Sequence, residues 1–296
     1  MGVVVSAVLP IALVALSGVW IGRAFTLDIK TLTRVSIYAL LPALVLTGVY
    51  GSDLPLRSTL LIVSGFLINC ALLYVLASAC AKWLKLPSAT QRSLVATTLL
   101  ANSGNIGLPF ILFALGEEGL ARAIVYLISS AIFITTVGPV FLKGEGLRAG
   151  LQVTWRLPVF WATLGGIALQ SFAWQVPETI DRALTLLSDA AIPIALLILG
   201  IQLSQTPLSF GVYELFAAGL RLIVSPLCAY MVGRLLGLEG LDLAVLVMQS
   251  AMPVAVNTLV WVNEFGGDSA RVAKTIVLST LLSLVSLPMV LWLVTL

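Results

Sequence analysis

The stretch Leu99–Phe110 reads LLANSGNIGLPF, and it lies inside an apolar run that otherwise has the length of a membrane-spanning helix. Two asparagines, a serine, two glycines and a proline fall between Asn102 and Pro109. Each is costly in a helix surrounded by hydrocarbon. Gly104 and Gly107 lower helix propensity by about 1 kcal/mol apiece relative to alanine. Pro109 has no N–H, so the carbonyl of Asn105 loses its usual helical partner. The amides of Asn102 and Asn105 need partners as well. Backbone of this kind is tolerated across a bilayer only where it is buried in protein or lines a wet cavity.

The rest of the chain supplies the setting. Of its 296 residues 60% are hydrophobic and 10% charged, and the mean hydropathy is +1.11. A soluble domain carries about 25% charged residues, so too little polar surface is present to cover a water-facing globule. The chain is an all-α integral membrane protein in this reading. The net charge of +3 says little by itself, and no nucleic-acid partner is expected. Cys70, Cys80 and Cys228 lie in apolar stretches without CxxC spacing and read as buried thiols. With no histidine in the chain, the commonest metal ligand and most nucleophile-activating dyads are missing. Neither a metal nor a cofactor is expected, and the chain does not read as an enzyme.

Hydrophobic runs predict ten spans, at roughly 3–21, 35–51, 59–81, 93–115, 120–142, 157–174, 185–204, 213–235, 241–262 and 272–294. The first has no basic residue before it and Arg23 after it, the reverse of a cleavable signal peptide. Eleven lysines and arginines fall on one side of this arrangement and four on the other. Basic residues stay cytoplasmic, which places both termini on the outer side of a plasma or inner membrane. LLPALVLTGVYGSDLPL from Leu40 recurs as AIPIALLILGIQLSQTPL from Ala191, pairing Pro42 with Pro193. FALGEEGLARAIVYLISS from Phe113 recurs loosely as NEFGGDSARVAKTIVLST from Asn263. Residues 1–142 and 157–294 are thus two five-span repeats. An odd number of spans forces the second to enter the membrane inverted, the pattern of secondary transporters with a binding site at mid-membrane.

Span 9 carries a defect matching that of span 4, in MQSAMPVAVNTLVW. Pro253 frees the carbonyl of Gln249, and Gln249, Ser250 and Asn257 supply polar side chains. Gln249, Pro253 and Asn257 share a face if the helix is continuous. Interrupted helices present free N–H groups and the positive end of a dipole. Two such ends, with Asn102, Ser103, Gly104 and Asn105 at one and Gln249, Ser250, Pro253 and Asn257 at the other, suit a carboxylate. Gly107, Pro109 and Pro253 are read as the residues that break the helices. Neither break holds an Asp or Glu, which argues against cation exchange. Arg221 is the one basic residue well inside a span. It reads either as a counter-charge for an anionic substrate or as a residue that snorkels outward or pairs with Glu214.

These residues resemble the auxin efflux carrier family of permeases, which includes plant auxin exporters and bacterial malate and malonate carriers. NSGNIGLPFILFALGEEGLARA resembles the family's span 4 pattern at Asn102, Gly107 and Pro109. AMPVAVNTLVWVNEFGGDSARVAKTIVLSTLLSLVSLP resembles its span 9–10 signature, with Pro253 at the crossing proline, and AIPIALLILGIQLS is similar to its span 7. The resemblance implies that spans 4 and 9 cross at their breaks. It also implies a transport domain (spans 3–5 and 8–10), a scaffold (spans 1, 2, 6 and 7) and a homodimer. Plant-type members have a proline where this chain has Ala101, and a long loop where it has only Lys143–Arg156.

The expectation is therefore a permease for a small organic anion, a carboxylate such as malate, malonate or an auxin-like acid, working by alternating access in a lipid bilayer. The alternative is a sodium-coupled organic anion symporter of the bile-acid type. An intramembrane enzyme fits poorly, because ANSG lacks the GxSxG elbow of a nucleophile.

Overall fold

A computed structural model describes residues 2–143, 147–205 and 210–295. The middle of the short loop expected between spans 5 and 6, and the end of the second repeat match at 206–208, lie outside them. In chain order the helices are α1 (Gly2–Ala24), α2 (Ile29–Tyr50), α3 (Leu56–Trp83) and α4 (Ser88–Leu99). There follow α5 (Leu108–Lys143), α6 (Leu147–Trp155), α7 (Pro158–Ser171) and α8 (Glu178–Ser204). The last are α9 (Val212–Leu235), α10 (Gly240–Ser250), α11 (Thr258–Phe265) and α12 (Ser269–Val294). Among the described residues there is no β-strand, only a lone antiparallel bridge between Ala101 and Val254.

Among the described residues six stretches are long and apolar enough to cross a membrane: Ile29–Tyr50, Leu56–Trp83, Ser103–Thr136, Glu178–Ser204, Val212–Leu235 and Ser269–Val294. The chain is an all-helical, multi-pass membrane protein. Other expected spans fall on shorter elements. Helix α7 has 14 residues, about 21 Å at 1.5 Å per residue, and the run over 241–262 is divided between α10 and α11. The stretch Ser103–Thr136 is not one rod. Gly116 interrupts it at φ 70°, ψ −169°, a conformation open to glycine but not to residues with a Cβ, at the boundary expected between spans 4 and 5.

Prolines shape several of these helices in one recurring way. Wide π-helical turns occupy Ser36–Leu40, Ser103–Gly107 and Leu220–Val224. Each is followed two residues later by a proline: Pro42, Pro109 and Pro226. A proline removes the donor for the carbonyl four residues before it. A π turn shifts the pairing by one residue, so that Leu41 N–H donates to Ser36 O and Ser225 N–H to Leu220 O. Polar caps set other helix starts. Asp28 accepts from Lys30 N at 3.0 Å and from the Thr31 hydroxyl at 2.6 Å, and that hydroxyl holds its carboxyl below the usual range.

The helices group into two compact units. One takes in 2–8, 56–103 and 210–295, hence the start of α1 with α3, α4 and α9–α12. Its core includes Ala96, Val254, Val262, Val272 and Ile276 around the two helix breaks, and Ala81, Leu94, Ala217 and Leu220 beside them. The other takes in 9–55, 104–143 and 147–205, hence most of α1 with α2 and α5–α8. There the Thr47 hydroxyl donates to Ser188 Oγ at 3.1 Å, joining α2 to α8. Helices α1 and α8 touch backbone to backbone: a Cβ on Gly200 would lie 2.0 Å from the Ala15 carbonyl oxygen, and one on Gly18 2.4 Å from Leu197 O.

Gly200→Leu should therefore force α1 from α8, an overpacking cost of about 1–3 kcal/mol or more. The expected result is a melting temperature in detergent several degrees below wild type. Gly219→Ala, whose Cβ would meet nothing within 4 Å, should melt with the wild type. Equal melting of Gly200→Leu would show that this contact does not hold the pair together.

Candidate functional site

The two sequence defects meet within the first unit. Helix α4 stops at Leu99, and Leu100 turns to extended backbone at φ −91°, ψ 93°. Helix α10 stops at Ser250. Between the gaps, Asn102 N donates to Pro253 O at 2.8 Å and Ala255 N donates to Leu100 O at 2.9 Å. Val254 N donates to the Ser279 hydroxyl of α12 at 3.1 Å. Each interrupted segment thus satisfies the other's backbone, as a non-helical stretch at membrane depth requires.

The first break lies slightly upstream of where the sequence placed it. Gly104, Asn105 and Gly107 belong to the wide turn Ser103–Gly107, and Pro109 is the second residue of α5. At a helix start the missing N–H costs little. Gly107 and Pro109 therefore shape the restart of the helix, while the gap itself is Leu100–Asn102. Pro253 does sit inside its gap. Gln249, Pro253 and Asn257 do not share a helical face, because the helix is not continuous: Gln249 is fully buried at the end of α10 and Asn257 is exposed just before α11. Nor are the first donors of α11 open. Thr258 N and Leu259 N turn back to Ala255 O and Val256 O, at 3.0 and 3.1 Å.

Arg221 has a definite task. It is 1% exposed, on the π turn of α9, and its guanidinium donates to backbone carbonyls from both breaks. Nη1 reaches Thr98 O at 2.7 Å, Nε reaches Met252 O at 2.9 Å, and Nη2 reaches Ser250 O. Helix C-termini leave carbonyls unpaired and carry partial negative charge. A cation placed across two of them answers both problems. The expected pairing with Glu214 is not what the carboxylate does: Glu214 accepts from Gly211 N at 2.8 Å and faces Arg271 at 3.8 Å.

Several buried polar atoms beside the crossing have no hydrogen-bond partner among the described residues. They are Asn102 Nδ2, both polar atoms of the Gln249 amide, Asn69 Oδ1 and Thr258 Oγ1. Such atoms are rare in folded proteins, and each calls for a water or a ligand. The sequence reading missed Asn69, whose Nδ2 donates to Ser250 Oγ at 3.2 Å. It also missed Ser225, whose hydroxyl donates to Ser250 O at 2.9 Å, and Ser279. A lone asparagine amid GFLINCALL was the available sign for Asn69. Of the expected site residues, Asn102, Ser103, Gln249, Ser250, Pro253, Asn257 and Arg221 fall in the first unit, and Gly104, Asn105, Gly107 and Pro109 in the second.

Comparison with known proteins agrees with this architecture. Residues 147–291 match the family described as membrane transport protein. An "Uncharacterized transporter" of Methanothermobacter thermautotrophicus is 33% identical over 268 residues, 88% of each chain. A Rhizobium meliloti protein named as a candidate malonate transporter is 25% identical over 204 residues, 65% of this chain and 64% of that one. Auxin efflux carrier component 1 of Arabidopsis thaliana is 27% identical over 148 residues, 46% of this chain and 24% of the plant protein. With its length matched so fully by a transporter and its second half by the family itself, the chain belongs to the membrane transport protein (auxin efflux carrier) family, and it is a transporter rather than an enzyme.

Proposed function

We propose that the protein is a secondary transporter of a small organic carboxylate and works by alternating access. The observation that carries this reading is the Asn102 amide nitrogen. It is a donor, buried and unpartnered, at the point where two interrupted helices meet. A substrate carboxylate accepts from it and from Gln249 Nε2, near the helix start at Ser103, whose dipole favours an anion. The relatives named for malonate and auxin transport support a carboxylate as cargo.

In the full proposal ten spans form two inverted five-helix repeats, 1–142 and 157–294, with both termini on the outer side of a plasma or inner membrane. Spans 3–5 and 8–10 move against spans 1, 2, 6 and 7 in a homodimer. The packing of α3, α4 and α9–α12 as one unit supports the division in part; residues 104–136 group with the other unit. Transport is sodium-independent. The breaks expose carbonyls of the kind that coordinate sodium, but the guanidinium of Arg221 already occupies three of them and repels a second cation.

Reconstituted into vesicles, the protein should accumulate labelled malonate, malate or an auxin-like acid by counterflow. Asn102→Ala should lower that uptake by about tenfold or more, since a hydrogen bond to a charged group is worth about 1.5–3 kcal/mol. Undiminished uptake would remove Asn102 from the site. Replacing sodium with choline should leave the rate unchanged, and loss of uptake would return the sodium-coupled alternative. Arg221→Met takes the guanidinium donor from Thr98 O and Met252 O, at about 1–3 kcal/mol each, and leaves Ser250 O with the Ser225 hydroxyl. It should lose both thermal stability and transport, whereas Arg221→Lys, which keeps the charge, should recover part of both.

A further inference from the structure

Helix α6 (Leu147–Trp155) has nine residues, about 14 Å at 1.5 Å per residue. That is too short to cross a hydrocarbon core of about 30 Å. It follows α5, whose membrane-spanning stretch ends at Thr136. Thr154 of α6 is buried, with its Oγ1 2.8 Å from Thr135 Oγ1 and 3.0 Å from Thr136 Oγ1. These contacts pin α6 at the depth where that stretch ends. Leu151 and Trp155, four residues apart and so on one face, are 46% and 53% exposed. Gln152 and Arg156, one position further on, are exposed too. Trp155 packs against Phe160 and Trp161, with ring centroids 5.3 and 5.2 Å away. The Trp161 indole N–H donates to Trp155 O at 2.9 Å, while much of its ring stays exposed. A short helix with an apolar face, a polar face beside it and paired tryptophans has the form of a segment that lies in the plane of a membrane surface.

The same end of the second unit is basic. A Cβ on Gly166 of α7 would press on Val49 of α2 at 2.8 Å, and four residues further along α7 the Gln170 amide donates to Ser52 O. Helices α2 and α7 therefore run side by side in one direction, and the start of α2 lies at the end where α6 leads into α7. Arg23, Lys30, Arg34 and Arg156 are all exposed there. Among the described residues Asp28 opposes them, a formal balance of +4 and −1. Arg23, Arg34 and Arg156 have no ion pair among the described residues. Exposed Trp20 and Phe25, packed edge to face, flank Arg23. The opposite end of this unit holds carboxylates instead: Asp53 follows α2, and Asp181, to which the Tyr50 hydroxyl donates, lies in the first turn of α8.

We infer that this basic end of the second unit, with α6 laid along it, is a docking surface for anionic phospholipid. Leu151, Trp155 and Trp161 enter the boundary of the acyl chains. Arg23, Lys30, Arg34 and Arg156 hold the headgroups above it. A zwitterionic headgroup offers the same phosphate but cancels it with its own cation, so charge complementarity selects the anionic lipid. The inference does not depend on which solute the protein carries.

The test offers the detergent-solubilised protein equal amounts of phosphatidylglycerol and phosphatidylcholine with the same acyl chains, and native mass spectrometry reads the bound lipids. Wild type should hold phosphatidylglycerol at least about fivefold over phosphatidylcholine, the preference that about one basic residue confers at an anionic surface. Raising ammonium acetate from about 0.02 to 0.3 M should lower that ratio. Replacing the four residues together, Arg23→Gln, Lys30→Gln, Arg34→Gln and Arg156→Gln, should bring it near one. The set Arg57→Gln, Lys82→Gln, Lys85→Gln and Arg234→Gln removes the same charge from exposed positions of the first unit, and it should keep most of the preference. An equal fall in both variants would assign the effect to overall charge and overturn the docking surface, as would a wild-type ratio of one. A second measurement follows α6 directly. In vesicles of phosphatidylglycerol brominated on its acyl chains, the part of the fluorescence that Trp155→Phe removes should be quenched, and more so than with the same label on phosphatidylcholine. Fluorescence from Trp155 that neither lipid quenches would show α6 standing clear of the bilayer and overturn the inference.

Discussion

The contact on which the first unit depends is one guanidinium held by backbone carbonyls from two broken helices. In water an unpaired helix C-terminus is hydrated; in hydrocarbon it is not, and every freed carbonyl must find a donor. Arg221 supplies donors to Thr98, Ser250 and Met252 at once, in a planar fork that a lysine ammonium cannot reproduce. With those carbonyls held, the extended residues beyond them pair through Asn102 N to Pro253 O and Ala255 N to Leu100 O. The side-chain amide of Asn102 is then left over. The proposed site rests on this remainder of a nearly complete accounting of backbone hydrogen bonds.

The prolines show how one chemical fact yields different structures according to context. Pro42 and Pro226 each follow a π turn that takes up the missing donor inside a helix, while Pro109 follows one at a helix start. Pro10, Pro193 and Pro288 lie within long helices. Pro253 stands in a gap and offers only its carbonyl, which is the acceptor that Asn102 needs. The difference lies in the neighbours. At Pro253 a second broken strand of backbone runs alongside in antiparallel sense, so extended geometry is satisfied there and helical geometry is not required.

Composition and hydropathy made the helical membrane class plain, since nothing else accommodates 60% hydrophobic residues in long uninterrupted runs. The pair of defects at NSGNIGLP and QSAMPVAVN was equally visible. Their registers were not. Glycines and prolines mark where a helix is weak, but whether it parts at Leu100 or at Pro109 is decided by which carbonyls a distant side chain can reach. That side chain is Arg221, whose acceptors lie 29, 31 and 123 positions away. A backbone acceptor has no residue type, so no motif could reveal it. Asn69 was hidden for a related reason: its partner, Ser250, is 181 positions distant.

Arg221 also bears on the proposal that the crossing holds an anion. Its three hydrogen bonds to the breaks are spent on carbonyls, but its charge is not cancelled by them, because a carbonyl is only a dipole. In a buried setting that charge acts over a longer range than it would in water. Neither break contributes an Asp or Glu to offset it. A neutral ligand at the Asn102 amide would gain one hydrogen bond, and a carboxylate would gain the hydrogen bond together with the field of the guanidinium behind it. The residue that satisfies the break in hydrocarbon would then also be the one that, on the carboxylate reading proposed above, favours negative charge there without touching the substrate.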